Sequence, residues 1–276
     1  MPNTHKRAYR SALTGLLCAL AAPAIAATSA PVPNSMAALG DSITRAFGAC
    51  GEVEDCPKDS WSTGSDAAVK SQYKRIAKIN PAIRGHAFNV AVSGAQVADL
   101  QGQAATAVAD NVDYVTILIG ANDACTDTVA DMTPVTTFRA DLAQAMDTLS
   151  TGLPNASIFV ASIPDIYRLW QLASPIKRAR QIWKFFDVCQ SMLADPLSTK
   201  PGAEARRRKV LQWEMDYNKQ IAQECALHAN CVTDHGAVFK HQFSLSEIGT
   251  IDYFHPSLAG QAALAKVTYK AGFDWK

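Results

Sequence analysis

The chain has 276 residues, 48% of them hydrophobic and 18% charged, with a formal net charge of +1 at pH 7. That length suits one α/β domain with a substantial core, and the near-zero charge argues against nucleic acid as a partner.

His5, Lys6, Arg7 and Arg10 precede an almost wholly apolar run over 12–26 that ends in Ala24-Ile25-Ala26. A basic start, an apolar run and a small-x-small site are the parts of a secretory signal peptide, expected over residues 1–26. The run is too short for a comfortable membrane span. Cys18 follows Leu17 where a lipid-anchoring site needs a small residue, and no arginine pair marks a twin-arginine route. Cleavage removes three cations and leaves a charge of about −2. Residues 27–34 read as a flexible lead-in and 35–276 as one folded domain of an exported, extracellular protein.

Short apolar or β-branched strands are expected at 35–39, 87–92, 114–119, 158–162 and 231–233. Helices are expected at 66–79, 96–109, 134–149, 203–227 and 257–270, with Pro134 suited to a first turn and Ser257 to a cap. This alternation predicts an α/β fold with a parallel sheet covered on both faces, whose ligands bind beyond the carboxyl ends of the strands. Within 165–193, Lys177, Arg178, Arg180 and Lys184 interleave with Ile176, Ala179, Trp183 and Phe186 near the helical period. This fits an interfacial helix or lid that meets anionic lipid; a surface helix with a solvated basic face is preferred. Arg206-Arg207-Arg208-Lys209 reads as another solvated face.

Six cysteines follow the leader, and an even count in an exported chain favours disulfides. Proximity pairs Cys50 with Cys56 and Cys225 with Cys231, leaving Cys125 for Cys189. A zinc site lacks the CxxC or His-rich spacing it would need, so no metal is expected.

Gly40-Asp41-Ser42 directly follows the apolar run Met36-Ala37-Ala38-Leu39. A strand that ends in a glycine turn is a rigid mount for a nucleophilic serine, though alone the triplet also fits an ordinary turn capped by Ser or Asp. Downstream lie Ser93-Gly94, Gly120-Ala121-Asn122-Asp123 and Asp252-Tyr253-Phe254-His255. Ester hydrolysis needs an activated hydroxyl, a base and donors for the tetrahedral oxyanion. Ser42 is the candidate nucleophile, His255 the general base, and Asp252, three residues earlier, the acid that orients its ring. The Ser42 and Gly94 amides and the Asn122 side chain are candidate oxyanion donors, although Gly94 fits an ordinary turn and Asn122 a turn or cap equally well. Asp123 reads as a loop-bracing acid.

Gly40-Asp41-Ser42, Gly94, Gly120-x-Asn122-Asp123 and Asp252-x-x-His255 resemble, in order and spacing from 36 to about 271, the four blocks of the SGNH (GDSL) hydrolase family. The resemblance implies that 35–276 is a catalytic domain: a flavodoxin-like three-layer α/β/α sandwich with a central parallel sheet of about five strands. It implies no metal or organic cofactor, and the α/β-hydrolase signature G-x-S-x-G does not occur. Ser60-Trp61-Ser62-Thr63-Gly64, Gly94-Ala95-Gln96-Val97-Ala98-Asp99-Leu100 and Asn122-Asp123-Ala124-Cys125 resemble the phospholipase-B-like branch, and the paired cysteines resemble secreted actinobacterial esterases and lipases. Trp61 fits equally an acyl-groove wall or a packing residue.

The expectation is thus a secreted, monomeric serine esterase or lipase acting on small-molecule or lipid esters, a phospholipase being the favoured subtype, with transient contact to lipid surfaces. A carbohydrate O-acetyl esterase is the second enzymatic reading. A catalytically silent lipid-binding or adhesion protein is the reading from another class.

Overall fold

The computed structural model of the chain describes Met1 and residues 28–276. The expected signal peptide, 1–26, lies almost wholly outside the described residues.

The strands in chain order are β1 (Ser29–Ala30), β2 (Met36–Gly40), β3 (Ala87–Asn89), β4 (Tyr114–Leu118), β5 (Ser157–Val160), β6 (Cys231–Thr233) and β7 (Asp274–Trp275). The helices are α1 (Gln72–Ile79), α2 (Leu100–Ala109), α3 (Ala121–Ala124), α4 (Val135–Gly152), α5 (Ile166–Ala173), α6 (Lys177–Phe185), α7 (Gln190–Leu193), α8 (Pro201–Cys225), α9 (Ala237–Lys240) and α10 (Leu258–Ala271). Five strands form one all-parallel sheet in the order β3-β2-β4-β5-β6. Every residue of β2, β4 and β5 is buried, so both faces of the sheet are covered. On the helical layers, α4 packs between α2 and α8, while α1 packs on α10. Each fully buried Leu, Ile or Phe in this core contributes about 1.5–3 kcal/mol.

The first helix was expected to begin at 66 but begins at Gln72. Lys70 takes a left-handed backbone (φ 50°) and the Ser71 side chain accepts the Lys74 amide, which places the helix start there. Beyond β3, the Val90 and Val92 amides still donate to Ala38 and Gly40 carbonyls on β2, so the expected 87–92 segment keeps its pairing on one side. The lead-in, expected to be flexible, is partly built into the fold. Ser29 and Ala30 pair in parallel with Asp274 and Trp275, an element with no sequence signal, and Trp275 packs edge-on against Tyr114 at 4.9 Å. Disulfides join Cys50–Cys56, Cys125–Cys189 and Cys225–Cys231.

The basic run 206–209 is not simply a solvated face. Arg207 is buried, stacks 4.3 Å over the Trp170 ring, pairs with Glu204 and donates to the Ser198 carbonyl. Arg208 lies over Tyr167 at 4.6 Å. The two arginines clamp α5 to α8. No helix among the described residues is long and apolar enough to cross a membrane.

Candidate active site

The carboxyl ends of β2, β3 and β4 carry the turns that hold Ser42, Gly94 and Asn122. Gly40 ends β2 with φ 143°, and a Cβ there would lie 2.1 Å from the Leu118 carbonyl oxygen of β4. Only glycine lets the chain turn at that point. Gln103 on α2 secures both backbone groups of Gly40: its Oε1 accepts the amide at 2.7 Å and its Nε2 donates to the carbonyl at 2.9 Å. The chain then coils in a tight turn, with the Arg45 amide donating to the Asp41 carbonyl and the Phe47 amide to the Ser42 carbonyl.

The loop before α10 delivers the other half of the site. Gly249 donates its amide to the His255 carbonyl, Tyr253 donates to Gly249, and Tyr253 has φ 54°. Asp252 Oδ1 accepts the Phe254 and His255 amides at 2.9 and 3.0 Å. Asp252 Oδ2 lies 2.5 Å from His255 Nδ1, and His255 Nε2 lies 2.7 Å from Ser42 Oγ. A proton on Nδ1, held by the carboxylate, leaves Nε2 free to accept from the serine hydroxyl. Burial alone would raise the Asp252 carboxyl, but hydrogen bonds from the His255 ring and the two amides, with the imidazole charge, hold it below the ordinary carboxylate value.

The Gly94 and Asn122 loops are tied to each other. Asn122 Nδ2 donates to the Ala95 carbonyl at 2.9 Å, Gln96 Nε2 donates to the Asn122 carbonyl at 3.1 Å, and the Val97 amide donates to Asp123 Oδ2 at 3.0 Å. The Asn122 amide keeps its second N–H, and the Ser42 and Gly94 backbone amides find no acceptor among the described residues. Gly94 has φ 86° and open space where a side chain would stand. Asp123 braces these loops; burial pushes its carboxyl up to about 6 despite the bonds it accepts. Burial likewise pushes Asp41 up to about 7, against the lowering effect of the Ile43 amide and the His255 charge.

Trp61 is the one site candidate the structure removes. It is 0% exposed, its ring nitrogen donates to Thr44 Oγ1 and its amide to Gln261 Oε1, so it packs beneath the Ser42 turn and lines no groove. The apolar recess beside His255 is built from other elements: Ile43, Ile166, Leu169, Phe243, Ile248 and Phe254. Apart from Phe254, which falls inside the Asp252–His255 block, none of these lies in a motif, and they are drawn from five separate stretches. The brace between the Ser42 and Gly94 turns was equally invisible. Asp55 accepts the Ser93 hydroxyl at 2.5 Å and pairs with Arg45 at 3.0 Å, while Arg45 donates to the Asn89 carbonyl. The Cys125–Cys189 disulfide joins the segment after α3 to the residue before α7.

The profile of the family described as GDSL-like Lipase/Acylhydrolase matches residues 36–268. Human membrane-associated phospholipase B1 is 30% identical over 167 residues, a match covering 49% of this chain and 11% of that protein, so the chain spans about a tenth of its length. Among solved structures, an extracellular lipase from Streptomyces rimosus superposes with a TM-score of 0.51 at 19% identity, over 86% of this chain and 99% of that one. A family two carbohydrate esterase from Clostridium thermocellum superposes with a TM-score of 0.51 at 16% identity, over 87% and 63%. At these identities the two structures share the fold.

Proposed function

Because the chain belongs to the GDSL-like lipase/acylhydrolase family, a family of carboxylic-ester hydrolases, we propose that it hydrolyses esters of acyl lipids outside the cell through an acyl-enzyme on Ser42. The observation that carries this reading is the unbroken line from Asp252 through His255 to the Ser42 hydroxyl, at 2.5 and 2.7 Å. Ser42 Oγ attacks the ester carbonyl carbon as His255 Nε2 takes its proton, and Asp252 stabilises the imidazolium that forms. The Ser42 and Gly94 amides and the second Asn122 N–H receive the developing oxyanion. His255 returns the proton to the leaving alcohol, and water repeats the sequence to free the acid.

The apolar recess next to His255 supports an acyl chain longer than acetyl in preference to a small polar acyl group. The three disulfides support export. The test is a hydrolysis profile over p-nitrophenyl esters from acetyl to palmitoyl, phospholipid vesicles and acetylated xylan. Activity should rise beyond acetyl, and Ser42→Ala or His255→Ala should lower kcat by about 10³ or more with the melting temperature retained. Undiminished turnover by folded Ser42→Ala would end the mechanism, and a profile peaking on acetylated xylan would replace the substrate class by carbohydrate esters.

A further inference from the structure

The outer face of α6 is built against the usual pattern of a solvated helix. Ala179 and Trp183 face inward, and Trp183 Nε1 donates to the Tyr253 carbonyl, so the helix backs directly onto the loop that carries Asp252 and His255. Its other side presents Lys177, Arg178, Gln181, Lys184 and Phe185, all exposed and spaced by three, four or seven residues on one stripe. Phe186 follows at once. Phe185 and Phe186 are 78% and 67% exposed and pack edge-on against each other at 4.8 Å, a two-ring wedge standing in solvent.

The charges around the wedge are one-sided. Residues 177–187 hold four cations against the single acid Asp187. Arg180 is engaged with the Ser174 and Pro175 carbonyls, but Lys177, Arg178 and Lys184 have no carboxylate partner among the described residues. Unpaired cations beside exposed aromatic rings complement a surface that is both apolar and anionic. A neutral sugar or an uncharged apolar peptide would meet at most one of the two requirements.

We propose that α6 is a docking surface for an anionic lipid bilayer, with Phe185 and Phe186 inserting among the acyl chains and Lys177, Arg178 and Lys184 meeting lipid phosphates. The surface would hold the enzyme where ester lipids are concentrated, beside the loop that bears His255. It is independent of the ester chemistry, so binding is measured on Ser42→Ala protein and can fail or succeed whatever that variant's activity.

The experiment is co-sedimentation with phosphatidylglycerol vesicles and, separately, phosphatidylcholine vesicles. Binding should favour phosphatidylglycerol and weaken with salt. The triple change Lys177→Gln, Arg178→Gln, Lys184→Gln should weaken it roughly hundredfold, about fivefold for each cation near the surface. Phe185→Ser with Phe186→Ser should weaken it at least ~tenfold. Both sets lie on exposed positions and should leave the melting temperature unchanged, so each checks the other. Equal binding to the two lipids, or binding untouched by both sets, would overturn the proposal. A dimer that dissociates on Phe185→Ser with Phe186→Ser, in a chain that ignores vesicles, would overturn it too and assign the wedge to a second copy.

Discussion

In the proposed mechanism Asp252 acts on Ser42 only through a ring, and the direction of one proton decides whether it succeeds. His255 Nδ1 has Asp252 Oδ2 as its partner, with no backbone carbonyl to share the task among the described residues. Asp252→Asn would keep the Oδ1 bonds to the Phe254 and His255 amides yet face Nδ1 with a donor, favouring the wrong tautomer. The expected outcome is a kcat loss of about 10³ or more with a near-native melting temperature; a loss under about tenfold would make the carboxylate dispensable. Asp41 makes a different case. Its Oδ1 accepts the Ile43 amide, while its buried Oδ2 has no partner among the described residues, and burial lifts it from 3.8 to about 7. The folded chain therefore holds this proton to higher pH than the unfolded chain, and the group's contribution to stability falls as pH climbs from about 4 to about 7. Asp41→Asn cannot ionise, so the loss of stability between pH 5 and pH 8 should shrink by about 1.4 kcal/mol or more, one unit's worth, in denaturant unfolding at the two pH values. An unchanged difference would mean the carboxyl titrates normally.

Elements are held to the site by few, long-range ties, and the Cys125–Cys189 disulfide is the longest covalent one. It closes a separation of 64 residues, against 6 for Cys50–Cys56 and 6 for Cys225–Cys231. Chain entropy alone then assigns it about 4 kcal/mol and the short loops about 2 kcal/mol each. Replacing Cys125 and Cys189 by alanine should lower stability more than replacing either short pair, measured by denaturant unfolding, and the native chain should show no free thiol among these six. The loop it closes carries α4, α5 and α6, so its loosening should also raise KM for long-chain esters, because Ile166 and Leu169 of α5 wall the apolar recess. The Arg207–Trp170 and Arg208–Tyr167 stacks hold α5 from the other side.

Across the whole molecule, the two chain ends of the described domain close on each other: β1 pairs with β7, and Phe273 and Trp275 pack on Tyr114 of the central strand β4. Deleting 273–276 should destabilise the domain by about 3–5 kcal/mol, the cost of removing buried aromatic packing, with the three disulfides intact; an unchanged melting temperature would make the pairing ornamental. The strands, their alternation with helices and the four site blocks were legible in the chain because each is local. An apolar run, then a glycine, then a polar turn states its own role within ten residues, and parallel pairing carries every such turn to one edge of the sheet. What needed the tertiary structure has partners far apart in sequence and no pattern of its own. Gln103 holds Gly40 from 63 residues away, Gln261 holds Trp61 from 200, and Trp61 itself proved a core residue because a tryptophan's side of a wall depends on what packs around it. The apolar recess, the Arg45–Asp55–Ser93 brace and the burial of Arg207 belong to the same class: they are products of how layers meet, and burial and distance exist only once the layers have met.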